Sequence, residues 1–404
     1  MSLSADHLPI DRGENIALLE PLRVSAGSRH HAGLVERAFA LSRRSAEFRA
    51  RLPDDVVRAL ADLVRAMNCY YSNLIEGHDT HPVDIERALH SDYSQDPKKR
   101  DLQREALAHI GVQEWIDGGG LRGRASAAEG LREIHRRFYE TLPEDMRWVE
   151  DPASGERWPV EPGAWRRRDV RVGVHVPISP GALPRFMARL EDVYAGLAPA
   201  ETVIAAAAAH HRMLWVHPFL DGNGRVARLM SHAALLDALD TGGVWSIARG
   251  LARRVSDYKR LLADCDQPRR NDLDGRGALS EESLTTFSTF FLDTCLDQVD
   301  FMQELVRPER LRDRILFWAA EEIRVGLLPP KSERVLEAIL YRGTLPRGEL
   351  PALLDVGERQ ARRLVASLTE RGVITADSSR APLRLVFPAR LAARWLPGLF
   401  PDKS

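Results

Sequence analysis

The chain has 404 residues, of which 44% are hydrophobic and 28% charged, with a formal net charge of -1 and a sequence pI near 6.9. That length is too great for one ordinary core and calls for two or three domains, in the composition of a soluble globular protein. The near-neutral balance excludes a global basic field for nucleic acid or an anionic membrane.

Apolar residues at mixed three- and four-residue spacing predict a helix from Leu52 to Glu76, with Gly77 placed as its C-terminal stop. Further helices are expected at Pro82 to His90, at Arg100 to Trp115 and, beyond the Gly118-Gly119-Gly120 break, at Ser126 to Thr141. A stretch rich in Gly, Pro and Trp runs from Glu144 to Pro180, and its alternating part, Val170 to Val176, predicts a short strand or hairpin arm. Helices follow at Gly181 to Leu197, Glu201 to Trp215 and Arg225 to Leu239, with several more up to Val325. Pro329-Pro330 marks a boundary. Beyond it, helices at Ser332 to Tyr341, Arg347 to Leu354 and Glu358 to Arg371 precede two strands, Val373-Ile374 and Leu383 to Phe387. Three helices and a hairpin suggest a winged helix-turn-helix module.

Cys69, Cys265 and Cys295 are far apart and form no CxxC pair. They predict free buried thiols of a reducing compartment rather than a zinc site or disulfide framework. The N-terminal MSLSADHLPIDRGEN lacks the apolar core of a signal peptide, and Val203 to Ala209 is too short to cross a bilayer. A cytoplasmic location is expected.

The segment His217 to Arg228 concentrates chemistry. Pro218 ends one helix and the next begins near Arg225. Gly222 and Gly224 let the backbone between them fold tightly, and amides gathered at a helix N-terminus make a phosphate site. Asp221 offers a hard carboxylate for Mg²⁺, which arrives with phosphate oxygens. Arg225 and Arg228 share a helix face and reach further phosphates. His217 is the side chain suited to taking a proton near neutral pH. These parts together describe transfer at a nucleotide phosphate with a hydroxyl as nucleophile.

The segment matches the Fic-domain signature HxFx(D/E)GNGRxxR at every fixed position, so the chain resembles Fic-domain proteins. The resemblance implies a mainly α fold: a helical core with a β-hairpin flap, here joined by the winged helix-turn-helix-like module. It divides the chain into a helical region carrying an inhibitory helix (1–120), a catalytic core (121–325) and the C-terminal module (331–404). It implies transfer of AMP from ATP to a Ser, Thr or Tyr hydroxyl of a target protein, with Mg²⁺, or Mn²⁺ in its place. His217 would be the base and Asp221 the metal ligand. Gly222, Asn223 and Gly224 would line the anion hole, Arg225 would hold phosphate and Arg228 the γ-phosphate. Gly224 marks the AMP-transferring branch, since relatives with Lys there act as kinases.

Residues 163–177 resemble the flap on which a target docks, and Tyr258 resembles the tyrosine of the adenine pocket, although Asp266 stands where the family often has Asn. Ser72, Glu76 and Gly77 fit the inhibitory pattern (S/T)xxxE(G/N), which implies a carboxylate set against Arg228. Two other readings stay open: removal of AMP by the same site, and a DNA-binding regulator whose core only senses nucleotide. So do DNA or protein as the ligand of residues 331–404, through Arg359, Arg362 and Arg363, and a homodimer as the assembly.

Overall fold

The computed structural model describes residues 9–151 and 154–401. Much of the N-terminal stretch read for a leader therefore lies outside the described residues, as do the ends of the predicted outer regions. The fold is mainly helical.

The first half is a succession of helices: α1 (His31–Ala50), α2 (Asp54–Glu76), α3 (Pro82–Leu89), α4 (Pro97–Asp117) and α5 (Ala128–Thr141). The first of these has no counterpart among the predicted elements. Strands β1 (Trp148–Glu150) and β2 (Arg157–Pro159) pair antiparallel, with Val149 opposite Trp158. The central helices are α6 (Leu183–Tyr194), α7 (Pro199–Val216) and α8 (Asn223–Leu239), followed by α9 (Ala248–Arg253), α10 (Val255–Cys265), α11 (Glu281–Leu305) and α12 (Pro308–Arg324). The C-terminal part holds α13 (Ser332–Arg342), β3 (Thr344–Leu345), α14 (Leu350–Leu354), α15 (Glu358–Glu370), β4 (Ile374–Thr375), β5 (Leu383–Leu385) and α16 (Ala392–Trp395). Its three strands pair in the order β3-β5-β4.

The α7–α8 pair is the centre of the molecule. Alanines 205 to 209 and Val203 are all buried on α7, so it is apolar nearly all round, as a helix enclosed by others must be. Helix α2 is buried along its second half and packs against α4, α8 and α9. Buried Asn68 is paired on both sides: it donates to Gln113 Oε1 at 2.6 Å and accepts from the Ser246 hydroxyl at 2.6 Å. The C-terminal tail closes over the same helix. Tyr71 donates to the Leu399 carbonyl at 3.0 Å, Arg249 to Gly398 at 2.9 Å, and Leu399 is fully buried.

Helix α2 ends as its sequence requires. Gly77 takes φ +89°, its amide bonds the Leu74 carbonyl at 3.1 Å, and the His78 amide reaches back to Asn73 at 2.9 Å. This is a Schellman end, which fixes where Glu76 stands. No heavy atom would crowd a Cβ on Gly77, so Gly77→Ala carries only the left-handed backbone strain, about 1 kcal/mol. Hydrogen exchange at residues 74–80 is expected to quicken roughly fivefold, with the rest of the chain unchanged.

Val170 to Val176 is not a regular strand. It is a turn about Gly173 (φ +60°) closed by one antiparallel bridge between Val172 and His175. A turn at the centre of so short an alternation leaves one residue on each side to pair. Val174 and Val176 are 83% and 61% exposed, so the alternation faces solvent rather than a core. Cys69, Cys265 and Cys295 are free and buried. No helix among the described residues is long and apolar enough to cross a membrane.

Candidate active site at the α7–α8 turn

His217 ends α7 in the left-handed region (φ 50°), an unusual conformation for a residue with a Cβ. Arg166 holds it there. That buried guanidinium donates to the His217 carbonyl at 2.7 Å and to Ile178 at 2.5 Å, while its amide bonds Pro218 at 2.9 Å. Burial first, then the positive charge of Arg166, lowers the His217 pKa to about 4, so the imidazole is neutral at physiological pH. Its Nδ1 faces the Leu214 carbonyl at 3.4 Å, which favours the tautomer with a basic Nε2.

The loop that follows is pinned from within. Asn223 accepts from the Phe219 amide at 3.0 Å and donates to the Phe219 carbonyl at 2.9 Å. Its side chain thus closes the loop, and its backbone N–H is the part left for a ligand. Gly222 (φ +76°) caps α8, and the first intrahelical acceptor bond runs from Val226 to Gly222. The amides of Asn223, Gly224 and Arg225 belong to the open first turn, where an anion is favoured. Asp221 is exposed at the mouth of the loop and accepts from the Tyr139 hydroxyl at 2.6 Å.

Glu76 stands over that first turn. Its carboxylate pairs with Arg228, and any side chain on residue 224 would collide with Glu76 Oε1. Ser72, one turn earlier on α2, accepts from Arg228 Nε at 2.9 Å, and its carbonyl accepts from the same guanidinium at 3.3 Å. Arg228 is 3% exposed while the Glu76 side chain is 35% exposed, so the cation is enclosed and its anion is reachable. Desolvation would raise the Glu76 carboxyl, but Arg228, helped by Arg225 and Lys259, outweighs it and holds the pKa below the ordinary value.

Arg225 points elsewhere. It donates to Glu105 at 2.9 Å, lies 3.4 Å from His78 and sits over the Phe138 ring. Burial opposes its charge, and Glu105 more than compensates. Tyr258 is buried, with its hydroxyl 2.7 Å from His210 Nε2, and burial pushes its pKa up to about 12. Asp266 bonds His211 at 3.0 Å. The turn therefore brings together His217, Asp221, Gly222, Asn223, Gly224, Arg228, Ser72 and Glu76, while the Arg225 side chain turns away to Glu105 and Tyr258 forms part of the wall behind.

Sequence reasoning missed Tyr139, Glu105, His78 and the clamp made by Arg166. Only the first carried a signal: Leu131, Ile134, His135, Phe138 and Tyr139 form one buried face of α5, and a phenol on such a face needs a partner.

The Fic/DOC family profile matches residues 126–235, which contain this turn and the helices on both sides of it. Residues 126–235 are a Fic domain. Over 174 residues the chain is 31% identical to the protein adenylyltransferase Fic of Drosophila willistoni, covering 42% of this chain and 31% of that protein. The counterpart from Drosophila virilis is 30% identical over 174 residues, covering 42% and 32%. The chain thus spans about a third of the length of these curated relatives. A Fic family protein from Desulfovibrio desulfuricans G20 has the same fold at a TM-score of 0.52 and 18% identity, covering 90% of this chain and 98% of that one. Fic-1 from C. elegans follows at 0.50 and 18%, covering 67% and 72%. In this frame α7, the turn and α8 lie inside the Fic domain, whereas the helix carrying Glu76 precedes it in sequence and packs onto it from outside.

Proposed function

We propose that the chain is a protein adenylyltransferase held back by Glu76. The observation that carries this reading is one geometry: a neutral His217 beside an open helix N-terminus, with Arg228 engaged by Glu76. In the reaction, a Ser, Thr or Tyr hydroxyl of a target attacks the α-phosphorus of ATP. The hydroxyl proton passes to His217 Nε2, the bond from the α-phosphorus to its bridging oxygen breaks, and pyrophosphate leaves. The amides of Asn223, Gly224 and Arg225 stabilise charge growing on the phosphate oxygens. Arg228, once free of Glu76, holds the γ-phosphate.

Asp221 fits Mg²⁺ or Mn²⁺ because it is an exposed, hard carboxylate beside the phosphate site. No group of three or more His, Cys, Asp or Glu converges among the described residues, so phosphate oxygens would complete the shell. Held there by Asp221, the cation would neutralise phosphate charge. Residues 163–177 would receive the target, with the exposed Val174 and Val176 and the open edge of the bridged turn offered to an extended segment. We read residues 331–404 as a winged-helix-like interaction module. Its helix α15 exposes Arg359, Arg362 and Arg363, and pairing of Arg362 with Glu358 favours a protein partner over a DNA duplex.

ATP labelled on the α-phosphate is expected to label the Glu76→Gly protein, and ATP labelled on the γ-phosphate is not. Adding His217→Ala removes a general base worth 10²- to 10⁴-fold, so labelling should fall at least about a hundredfold. Transfer of the γ-label would mean a kinase instead.

A further inference from the structure

We infer that Tyr139 is a positioning residue for the divalent cation, acting by fixing the carboxylate of Asp221. The inference rests on the reading of Asp221 as the metal ligand. An aspartate exposed on a loop ordinarily samples several rotamers. Here one of its oxygens is held: the Tyr139 hydroxyl donates to Asp221 Oδ2 at 2.6 Å, while Oδ1 has no protein partner among the described residues. A carboxylate carries about four lone-pair sites, so the phenol uses one and leaves the others for a cation and water.

The phenol can act as a fixed post because it is itself immobile. Tyr139 is 3% exposed, and its ring lies 4.5 Å from His135. His135 in turn stacks on Phe219 at 4.1 Å and 5° between planes. Asn223 bonds both backbone groups of Phe219. The chain of contacts therefore starts and ends on the same loop, with Asp221 between its two anchors. Gly222 takes part: a Cβ there would come within 3.0 Å of the Tyr139 ring and 3.1 Å of its oxygen. The phenol can lie this close to the loop because residue 222 has no side chain. Phenylalanine would fill the same space and lose only the donor. Carboxylates that hold metals depend on such partners, and losing one costs 10- to 100-fold in affinity.

The test uses the full chain in the Glu76→Gly background. Mn²⁺ is titrated by water-proton relaxation in the presence of α,β-methylene-ATP, which binds without transferring AMP. Tyr139→Phe is expected to raise the half-saturating Mn²⁺ concentration about tenfold. The rate of AMP transfer at saturating Mg²⁺ should change far less than that half-saturation. Leu131→Val, a core change two turns earlier on the same helix, should leave Mn²⁺ half-saturation unchanged. An unaltered half-saturation in Tyr139→Phe overturns the inference, as does an equal shift in Leu131→Val. If the parent binds Mn²⁺ and nucleotide but transfers no AMP, the transferase reading falls and the half-saturations still decide the role of Tyr139. A parent that binds no Mn²⁺ with the nucleotide overturns both.

Discussion

Replacing Glu76 by Gly is expected to raise AMP transfer roughly 10- to 30-fold over the wild type. The magnitude follows from what the carboxylate holds. Glu76 and Ser72 together engage the guanidinium of Arg228, and a hydrogen bond to a charged group contributes about 1.5–3 kcal/mol. The partial exposure of Glu76 places the effect in the lower part of that range. The substitution frees Arg228 for phosphate and removes an anion from the first turn of α8, where the phosphates would lie. Ser72 remains, so Arg228 keeps a neutral partner and is not stranded in the interior. Nucleotide affinity should rise with transfer, and isothermal titration with α,β-methylene-ATP checks this apart from catalysis. Equal affinity in wild type and variant would remove Glu76 from control of the site.

Acidification from pH 7.5 to 5.5 is expected to lower the melting temperature by about 10 °C. Four histidines in the core carry most of the effect, and the half-buried His217 adds a smaller share in the same direction. Burial lowers His109 and His210 to about 3 and His135 and His211 to about 4. Each is neutral in the folded chain and takes a proton readily only after unfolding, near 6.5. Their contribution to stability is therefore complete above 6.5 and is lost as pH falls from there toward the folded values. At pH 5.5 each costs about 1.4 kcal/mol, or roughly 5 kcal/mol for the four, a large share of a typical domain's stability. At about 2 °C per kcal/mol this gives the stated shift.

The packing explains why the protons are refused. His210 is already shared between Ser231 at 2.8 Å and Tyr258 at 2.7 Å, and neither ring nitrogen of His109 has a partner among the described residues. His78 works in the opposite direction, since Glu105 raises its pKa, but it is half-exposed and its share is small. Circular dichroism melts across this range measure the shift, and a flat melting temperature would contradict it.

What the sequence discloses is set by distance along the chain. His217, Asp221, Gly222 and Gly224 fall within one short window, so the turn, the open helix end and the base can be read from order alone. The end of α2 is equally local: Gly77 stops the helix where the amphipathic pattern stops, and the Schellman bonds follow. The Glu76–Arg228 contact spans 152 residues, and only the resemblance implies it. Tyr139 meets Asp221 across 82 residues, and Arg225 meets Glu105 across 120. No periodicity marks such meetings, because they depend on how α4 and α5 pack beside α8. The bridged turn at Gly173 fails in the other direction. Its alternation is real, but with the chain reversing at its centre and His175 bonded to the Trp215 carbonyl at 2.8 Å, no room is left for a strand.

We propose that this site transfers AMP through His217 and is restrained by Glu76. Intact-protein mass spectrometry after incubation with ATP and Mg²⁺ tests it most directly. Wild type, Glu76→Gly, and the double variant Glu76→Gly with His217→Ala are compared. The account predicts an AMP adduct on most of the Glu76→Gly protein, little on the wild type and none on the double variant. Equal adduct on wild type and Glu76→Gly, or an adduct that survives His217→Ala, would contradict it.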